Sequence, residues 1–279
     1  MGKTLVRASV VSVFALVSLL AGSTALAQQA QPDLYVTVSY IKVLPGQDEA
    51  YRAYVTSTSK KVYQEMLGAN SNLQFWSIAR VMYTGVGEGN DYDYVAAATF
   101  TGAVPEPGTS YDAVYQKAAG MSQADIQKKL ATMRTIVGTE VLRNQARAAA
   151  PGTLKEGDVR VVSRVRIKPN MSSEYFDAMK TMAQPMWQAR IAAGELKGWS
   201  IWSRVFPAGA GTTYDALSVM YYKDLASAIQ GPDATKGLET FMKTHPGKNF
   251  AGYISNLRDY SELQQRGVMQ VVALVERAR

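Results

Sequence analysis

The sequence predicts an α+β protein built from two tandem β-α-β-β-α-β modules that pack sheet to sheet. One segment is repeated, because residues 75–81 read FWSIARV and residues 198–205 read GWSIWSRV. Other residues recur at nearly the same spacing. In each half the hydrophobic period changes from two to about 3.6 and back in the same order. One module used twice explains all three observations.

The spacing between matched residues defines the repeat. Three pairs lie 124 residues apart: Val43 and Ile167, Tyr51 and Tyr175, Arg80 and Arg204. Tyr92–Asp93 and Tyr214–Asp215 lie 122 residues apart. Several matches in one order at nearly one spacing indicate an internal duplication.

Each copy opens with a strand followed by an amphipathic helix. Residues 34–43 and 158–168 alternate between apolar and polar and are rich in Val, Ile and Tyr, which is typical of strands. Residues 47–67 and 172–192 carry apolar residues along one helical face. These two ranges are therefore predicted helices.

Two strands, a second helical region and a last strand follow in both copies. The predicted ranges are 73–83, 92–100, 110–134 and 138–146 in the first copy, and 198–206, 214–222, 223–263 and 268–276 in the second. Pro246–Gly247 divides the long helical range of the second copy in two. The resulting order is that of a ferredoxin-like module, one sheet with its helices on a single face.

A lone sheet of this kind leaves its other face open, and two copies in one chain can pack those faces together. We expect modules at 28–150 and 151–279, joined by a loose stretch at 148–153. With this element order and the duplicated strands, the chain resembles the dimeric α/β-barrel superfamily in tandem-fused form. It is most similar to the NIPSNAP-like and antibiotic-biosynthesis-monooxygenase-like members. Such a resemblance carries fold further than function.

The N-terminus resembles a signal peptide. Lys3 and Arg7 precede an apolar run at 8–20, and Ala25–Ala27 forms a small-x-small cleavage pattern. We therefore expect residues 1–27 to be removed and the mature protein to be periplasmic or secreted. No later segment approaches the length of a membrane span.

Composition excludes several classes of partner and chemistry. The formal net charge is +7, and removing Lys3 and Arg7 with the signal peptide leaves +5. Because the basic residues are scattered, nucleic acid is not an expected partner. The chain has no cysteine, which rules out disulfides and thiolate chemistry, and no metal site is expected.

Strand alternation predicts which side chains line the space between the sheets. One face of the first strands is small and apolar, which suits packing against helices. The opposite face carries Tyr40 in the first copy and Arg164 in the second. On the second strand of each copy, alternation adds one further set to this face: Trp76, Ile78 and Arg80 in the first copy, and Ser200, Trp202 and Arg204 in the second. We predict that five residues border a pocket for a small, partly apolar, anionic ligand: Tyr40, Arg80, Arg164, Trp202 and Arg204. The alternative is a plain structural role, since arginine on strands is often solvated and tryptophan is usually core.

His245, in the sequence Thr244-His245-Pro246-Gly247, is the only histidine of the chain. The superfamily resemblance includes haem enzymes that hold iron through one histidine, so His245 is the candidate cofactor ligand. Its place beside a Pro–Gly break, with no counterpart in the first copy, favours a loop residue instead. Haem is therefore an alternative, and no cofactor is the main expectation.

Two functions remain open. The first is a non-catalytic secreted protein that binds a small molecule or a partner in the inter-sheet cavity or at the barrel edge. The second, permitted by the resemblance, is a cofactor-independent or haem-dependent monooxygenase-like enzyme that uses the same cavity. Fusing two modules makes a monomer possible, and edge strands can still join two chains into a homodimer.

Overall fold

The computed structural model of the chain describes residues 33–69, 72–84, 91–106, 108–149, 154–209 and 211–277. The predicted signal peptide, residues 1–27, lies outside these ranges. Both modules belong to one compact unit, Pro32–Arg279. Within the described ranges, no helix combines the length and the apolar character needed to cross a membrane.

Within its described residues, the first module has four strands and four α-helices. In chain order they are β1 (Leu34–Val43), α1 (Asp48–Tyr54), α2 (Lys60–Gly68), β2 (Leu73–Tyr83), β3 (Tyr94–Thr101), α3 (Asp112–Ala119), α4 (Gln123–Ala131) and β4 (Arg134–Ala149). A π-helical turn, Val55–Ser59, joins α1 to α2.

The second module repeats this order with one additional helix. Its elements are β5 (Val159–Ile167), α5 (Ser172–Ala178), α6 (Gln184–Ala192), β6 (Gly198–Phe206), β7 (Ala216–Tyr222), α7 (Leu225–Gln230), α8 (Ala234–Thr244), α9 (Phe250–Tyr260) and β8 (Ser261–Glu276). A second π-helical turn, Met179–Ala183, joins α5 to α6.

The predicted order of elements is confirmed, with two differences in extent. The second helical region of the second module is three helices rather than two, because Gly231 has a φ of 65° and Pro232 follows it. The last strands β4 and β8 have 16 residues each and are longer than predicted. Ala148 and Ala149 therefore belong to β4 and not to a loose linker, and residues 150–153 lie outside the described part.

The eight strands form one closed antiparallel barrel. Its order is β1-β3-β2-β8-β5-β7-β6-β4, and β4 pairs again with β1. Each module contributes a sheet, and the two sheets face each other across the barrel interior. The modules are joined at their edges, because β2 pairs with β8 and β4 pairs with β6. The α+β, tandem ferredoxin-like, dimeric α/β-barrel architecture predicted from the sequence is confirmed.

Closure of the barrel creates three separate cores. One core lies between the first sheet and its helices and includes Trp76 and Tyr51. A second lies between the second sheet and its helices and includes Trp199. The third lies inside the barrel and includes Tyr40 and Trp202. Alternation along each strand separates the helix-facing side chains from those inside the barrel.

The register of the two copies differs from the one that sequence matching suggests. Val81 N donates to Asp93 O at 2.8 Å, and Arg204 N donates to Asp215 O at 2.9 Å. The structural counterpart of Arg204 is therefore Val81, not Arg80. The offset falls from 124 residues at the first strands to 123 at β2 and β6, and a one-residue change places a side chain on the opposite face of a strand.

Asp93 and Asp215 perform the same structural task in the two copies. Asp93 Oδ2 accepts the Val43 backbone N–H at 2.8 Å, and Asp215 Oδ2 accepts the Ile167 N–H at 2.8 Å. Each carboxylate thus fastens the end of its module's first strand to the start of the third.

We predict that Asp93→Ala and Asp215→Ala each lower the free energy of unfolding by about 1–3 kcal/mol, because a strand N–H loses its acceptor. Urea unfolding of the purified variants measures this. Asp91→Ala is the matched control: its side chain is 85% exposed and, among the described residues, pairs with Lys42 alone, so the expected loss is below about 1 kcal/mol. Equal losses in all three variants would contradict the assigned role.

Candidate functional site

The barrel interior contains a cavity of about 90 Å³. Its middle is apolar and is formed by residues from both modules, among them Val38, Leu142, Leu217 and Val219. The polar side chains lie toward its two ends. Because 300–1,000 Å³ is the usual range for drug-sized ligands, a cavity of this volume suits a molecule of only a few heavy atoms.

Arg160 forms one polar end of the cavity. It lies on β5, is 6% exposed, and donates from Nη2 to Ser77 Oγ at 2.5 Å. Its guanidinium carbon lies 5.8 Å from the centre of the Phe75 ring and 5.5 Å from that of Tyr221. Nε is buried without a hydrogen-bond partner, and no described carboxylate forms an ion pair with this residue.

The burial of the Arg160 guanidinium without an ion-paired carboxylate is energetically unfavourable, and this indicates what the cavity can bind. Burial lowers the pKa of Arg160, yet a guanidinium remains protonated in proteins. Removing a charge from water without a counter-charge costs several kcal/mol. The Arg160 end of the cavity is therefore electrically suited to an anionic group.

Glu140 organises the other polar end. Its Oε2 accepts hydrogen bonds from the hydroxyls of Tyr40, at 2.9 Å, and Tyr214. Its Oε1 lies 3.5 Å from Arg204 Nη1, and this pair is almost fully buried, with side chains 11% and 6% exposed. The Arg204 guanidinium also lies over the Tyr214 ring at 4.2 Å and donates to the Tyr214 carbonyl.

Arg164 connects this cluster to the cavity. Its guanidinium carbon lies 5.3 Å from the ring centres of both Tyr40 and Tyr214. It donates to Tyr92 Oη at 3.3 Å and to Gln265 Oε1 at 2.5 Å. The end near Glu140 thus holds two guanidinium groups and one carboxylate.

The tyrosines of this end are hydrogen-bond donors at neutral pH. Burial raises the pKa of Tyr40 to about 12. Burial, with the neighbouring Tyr40 and Glu140, also raises the pKa of Tyr214. Neutral hydroxyls can donate to the Glu140 carboxylate, whereas phenolates could not.

The structure brings four of the five predicted pocket residues together. Tyr40, Arg164 and Trp202 line the cavity, and Arg204 lies beside it in the Glu140 cluster. The face assigned to β1 and β5 is correct. Their role in binding a ligand stays a prediction.

Arg80 does not belong to this group, and its predicted place is wrong. Its side chain is 49% exposed and its Nη2 lies 3.5 Å from Asp48 of α1, on the helix-facing side of β2. Trp76 and Ile78 lie on that same side, whereas their assumed equivalents Ser200 and Trp202 point into the barrel. The sequence match of Arg80–Val81 with Arg204–Val205 uses an offset of 124 residues, whereas β2 and β6 correspond at 123. It therefore equates residues that lie on opposite faces of the two strands.

The predicted set omitted Arg160 and Glu140. Arg160 lies on the predicted interior face, four residues before Arg164, so strand alternation alone could have included it. Glu140 follows Gly138 and Thr139 in a segment with few other charges. Its importance depends on the pairing of β4 with β1, which the sequence does not show.

His245 lies outside the barrel, at the C-terminal end of α8. Its ring stacks on Phe241 with centroids 4.8 Å apart. Nδ1 lies 2.8 Å from Thr244 Oγ1, and Nε2 lies 3.0 Å from the Thr181 carbonyl oxygen. The residue is partly buried and docks α8 onto the π-helical turn of the second module.

These contacts do not fit an axial haem ligand. A nitrogen that faces a carbonyl oxygen must carry the proton, so Nε2 has no free lone pair for iron. Nδ1 faces the hydroxyl of the adjacent threonine. We therefore assign no haem to His245.

The sequence matches no protein-family model and no curated protein. Solved structures do resemble the fold. A protein from Fusobacterium nucleatum, provisionally named a monooxygenase, has a TM-score of 0.54 and 11% identity over 88% of this chain and 95% of that chain. A second such protein, from Lactobacillus acidophilus, has a TM-score of 0.51 and 8% identity over 89% and 98%.

A haem-binding protein from Thermus thermophilus has a TM-score of 0.43 and 11% identity over 86% and 91%. At these identities, the two structures with TM-scores above 0.5 show a shared fold and nothing finer. Together with the closed barrel described above, they show that the chain has the dimeric α/β-barrel fold in its tandem-fused form.

We predict that Arg204→Met lowers the free energy of unfolding by about 3–5 kcal/mol, because the buried Glu140 carboxylate loses its counter-charge. Arg80→Met serves as the control and should cost at most about 1 kcal/mol, since its ion pair is half exposed. Urea unfolding distinguishes the two arginines, and a larger loss for Arg80→Met would contradict the assignment of faces.

Proposed function

We propose that the barrel interior binds a small, partly apolar molecule that carries an anionic group. The observation that carries this proposal is Arg160, a buried guanidinium in an apolar cavity with an unsatisfied Nε and no ion-paired carboxylate among the described residues. A carboxylate or similar group can accept from such a guanidinium through charge-assisted hydrogen bonds. The adjoining Val38, Leu142 and Val219 surface suits the apolar remainder of the molecule.

Native mass spectrometry of the protein, purified without denaturation, tests this proposal. The wild type is expected to carry a discrete added mass that is lost on unfolding. The mass of the polypeptide also tests our proposal that the chain is secreted to the periplasm, since removal of residues 1–27 leaves Gln28 as the first residue. The same spectra distinguish a monomer from a homodimer.

We predict that Arg160→Met abolishes the added mass, because it removes the only guanidinium assigned to that end while preserving side-chain volume. The free energy of unfolding of the ligand-free variant should be close to that of the wild type, because the substitution removes the desolvation cost of a buried charge together with its Ser77 hydrogen bond and its contacts with the Phe75 and Tyr221 rings.

Arg166→Met is the matched control for this substitution. Arg166 lies on the same strand but outside the cavity lining, 40% exposed and 3.7 Å from Asp215. It should retain the added mass. Retention in Arg160→Met, or equal loss in both variants, would refute the assigned site.

The second candidate is a monooxygenase-like enzyme that acts on the molecule held in this cavity. The two solved structures with the highest similarity reported above support it, since both are provisionally named monooxygenases. The shared fold is its only support, and fold does not determine reaction. Oxygen consumption with the released ligand distinguishes the candidates: uptake that depends on protein and disappears in Arg160→Met favours the enzyme, and no uptake above the protein-free rate favours a binding protein.

A further inference from the structure

In the helix layers of the two modules, the first helices begin and end at equivalent positions. Helices α1 and α2 and their π-helical turn correspond to α5, α6 and theirs at an offset of 124 residues at every boundary. Val55 therefore occupies the place of Met179, and Tyr63 that of Trp187. Differences in side-chain size at matched positions can be compared directly.

The second copy fills this layer with larger side chains than the first. The matched pairs are Val55 and Met179, Thr58 and Met182, Val62 and Met186, Tyr63 and Trp187. Met179, Met186 and Trp187 are buried in the core of the second module. The fold thus accommodates a filled layer, and the smaller residues of the first copy are not required by the architecture.

A cavity of about 190 Å³ lies at these positions in the first module. It lies between the helices and the helix-facing side of the first sheet, separated from the barrel interior by that sheet. Val55 and Val62 form part of its apolar wall. Tyr63 and Trp76 form another part and stack on each other with centroids 4.3 Å apart and planes 10° apart.

Polar groups without partners line the same cavity. The Nε of Arg134, on β4, is buried and forms no hydrogen bond. Among the described residues, the side chains of Thr58 and Ser59 form none either. The pairing of β4 with β1 and of β8 with β5 makes Ser261 the counterpart of Arg134, so the second copy has a serine at this position.

The charge of Arg134 lies close enough to act on the tyrosines of the cavity. Burial raises the pKa of Tyr51 to about 12, and the nearby Arg134 opposes that shift. The cavity therefore combines one guanidinium, the hydroxyls of Thr58 and Ser59, further tyrosine hydroxyls and flat aromatic walls.

The geometry points to a second ligand site, present only in the first module, for a small flat organic anion such as an aromatic carboxylate. The carboxylate accepts from Arg134 Nε, whose buried N–H is costly when unsatisfied. The ring packs against Val55, Val62 and the aromatic wall. Water alone would satisfy Arg134 but would leave the apolar wall hydrated. This inference is independent of the ligand in the barrel.

A fluorine NMR titration with 4-fluorobenzoate tests the second site. The wild type is expected to show saturable binding, and neutral 4-fluorobenzamide at least about tenfold weaker binding, because it cannot form the charged pair. Arg134→Gln should weaken 4-fluorobenzoate binding by a similar factor. The triple variant Val55→Met, Thr58→Met, Val62→Met copies the second module and should abolish it.

Arg166→Met, which lies outside both cavities, serves as the control and should bind 4-fluorobenzoate as the wild type does. Binding retained by the triple variant and lost in Arg160→Met would assign the anion to the barrel and overturn the second site. Absence of saturable binding to the wild type, or equal binding of acid and amide, would also overturn it. If the triple variant does not fold, Arg134→Gln decides alone.

Discussion

The pairing of each sheet's edges with those of the other module is the constraint on which the rest of the molecule depends. Alone, β2 and β4 would expose unpaired backbone groups at the edges of a four-stranded sheet. In the closed barrel, β8 pairs with β2 and β6 pairs with β4. This pairing determines which faces point inward, so the chemistry of the interior is a product of both copies.

The backbones of the two halves of the barrel are nearly equivalent, but the side chains that they place inside it differ. Tyr40 of the first copy faces Arg164 of the second, and Val81 corresponds to Arg204. The pairing of β4 with β1 and of β8 with β5 makes Gly267 the counterpart of Glu140. Equivalent positions of the two copies thus carry different side chains, and within the described residues Glu140 and the guanidinium groups lie toward the ends of one apolar space.

The divergence of the copies also separates two kinds of arginine. Arg204 is buried but compensated by Glu140 and by the Tyr214 ring. Arg160 is equally buried and forms no ion pair with a described carboxylate, and the longer-range charge of Asp158 and the Phe75 and Tyr221 rings stabilise it. Arg160, which lacks an ion-paired carboxylate, is the residue on which the proposed anion site rests.

The element order could be predicted because periodicity and turn residues are local signals, and the interior face of β1 and β5 followed from alternation. The prediction for Arg80 was wrong because the offset between the two copies changes by one residue before β2 and β6, and the similar sequences of these strands do not show the change. In a β-strand, a shift of one residue places a side chain on the opposite face. Gly231–Pro232 marks the break that creates the third helix of the second helical region, a local signal that the prediction omitted. Glu140 and the cavity beside Arg134 could not be predicted. They depend on strand pairing and on packing between helices, and neither leaves a pattern in the sequence.

A high-resolution crystal structure of the protein purified without denaturation tests the central claim most directly. We predict density for a bound molecule inside the barrel, with an anionic group within hydrogen-bond distance of the Arg160 guanidinium. A barrel interior that holds only water, with Arg160 hydrogen-bonded to protein groups alone, would contradict it.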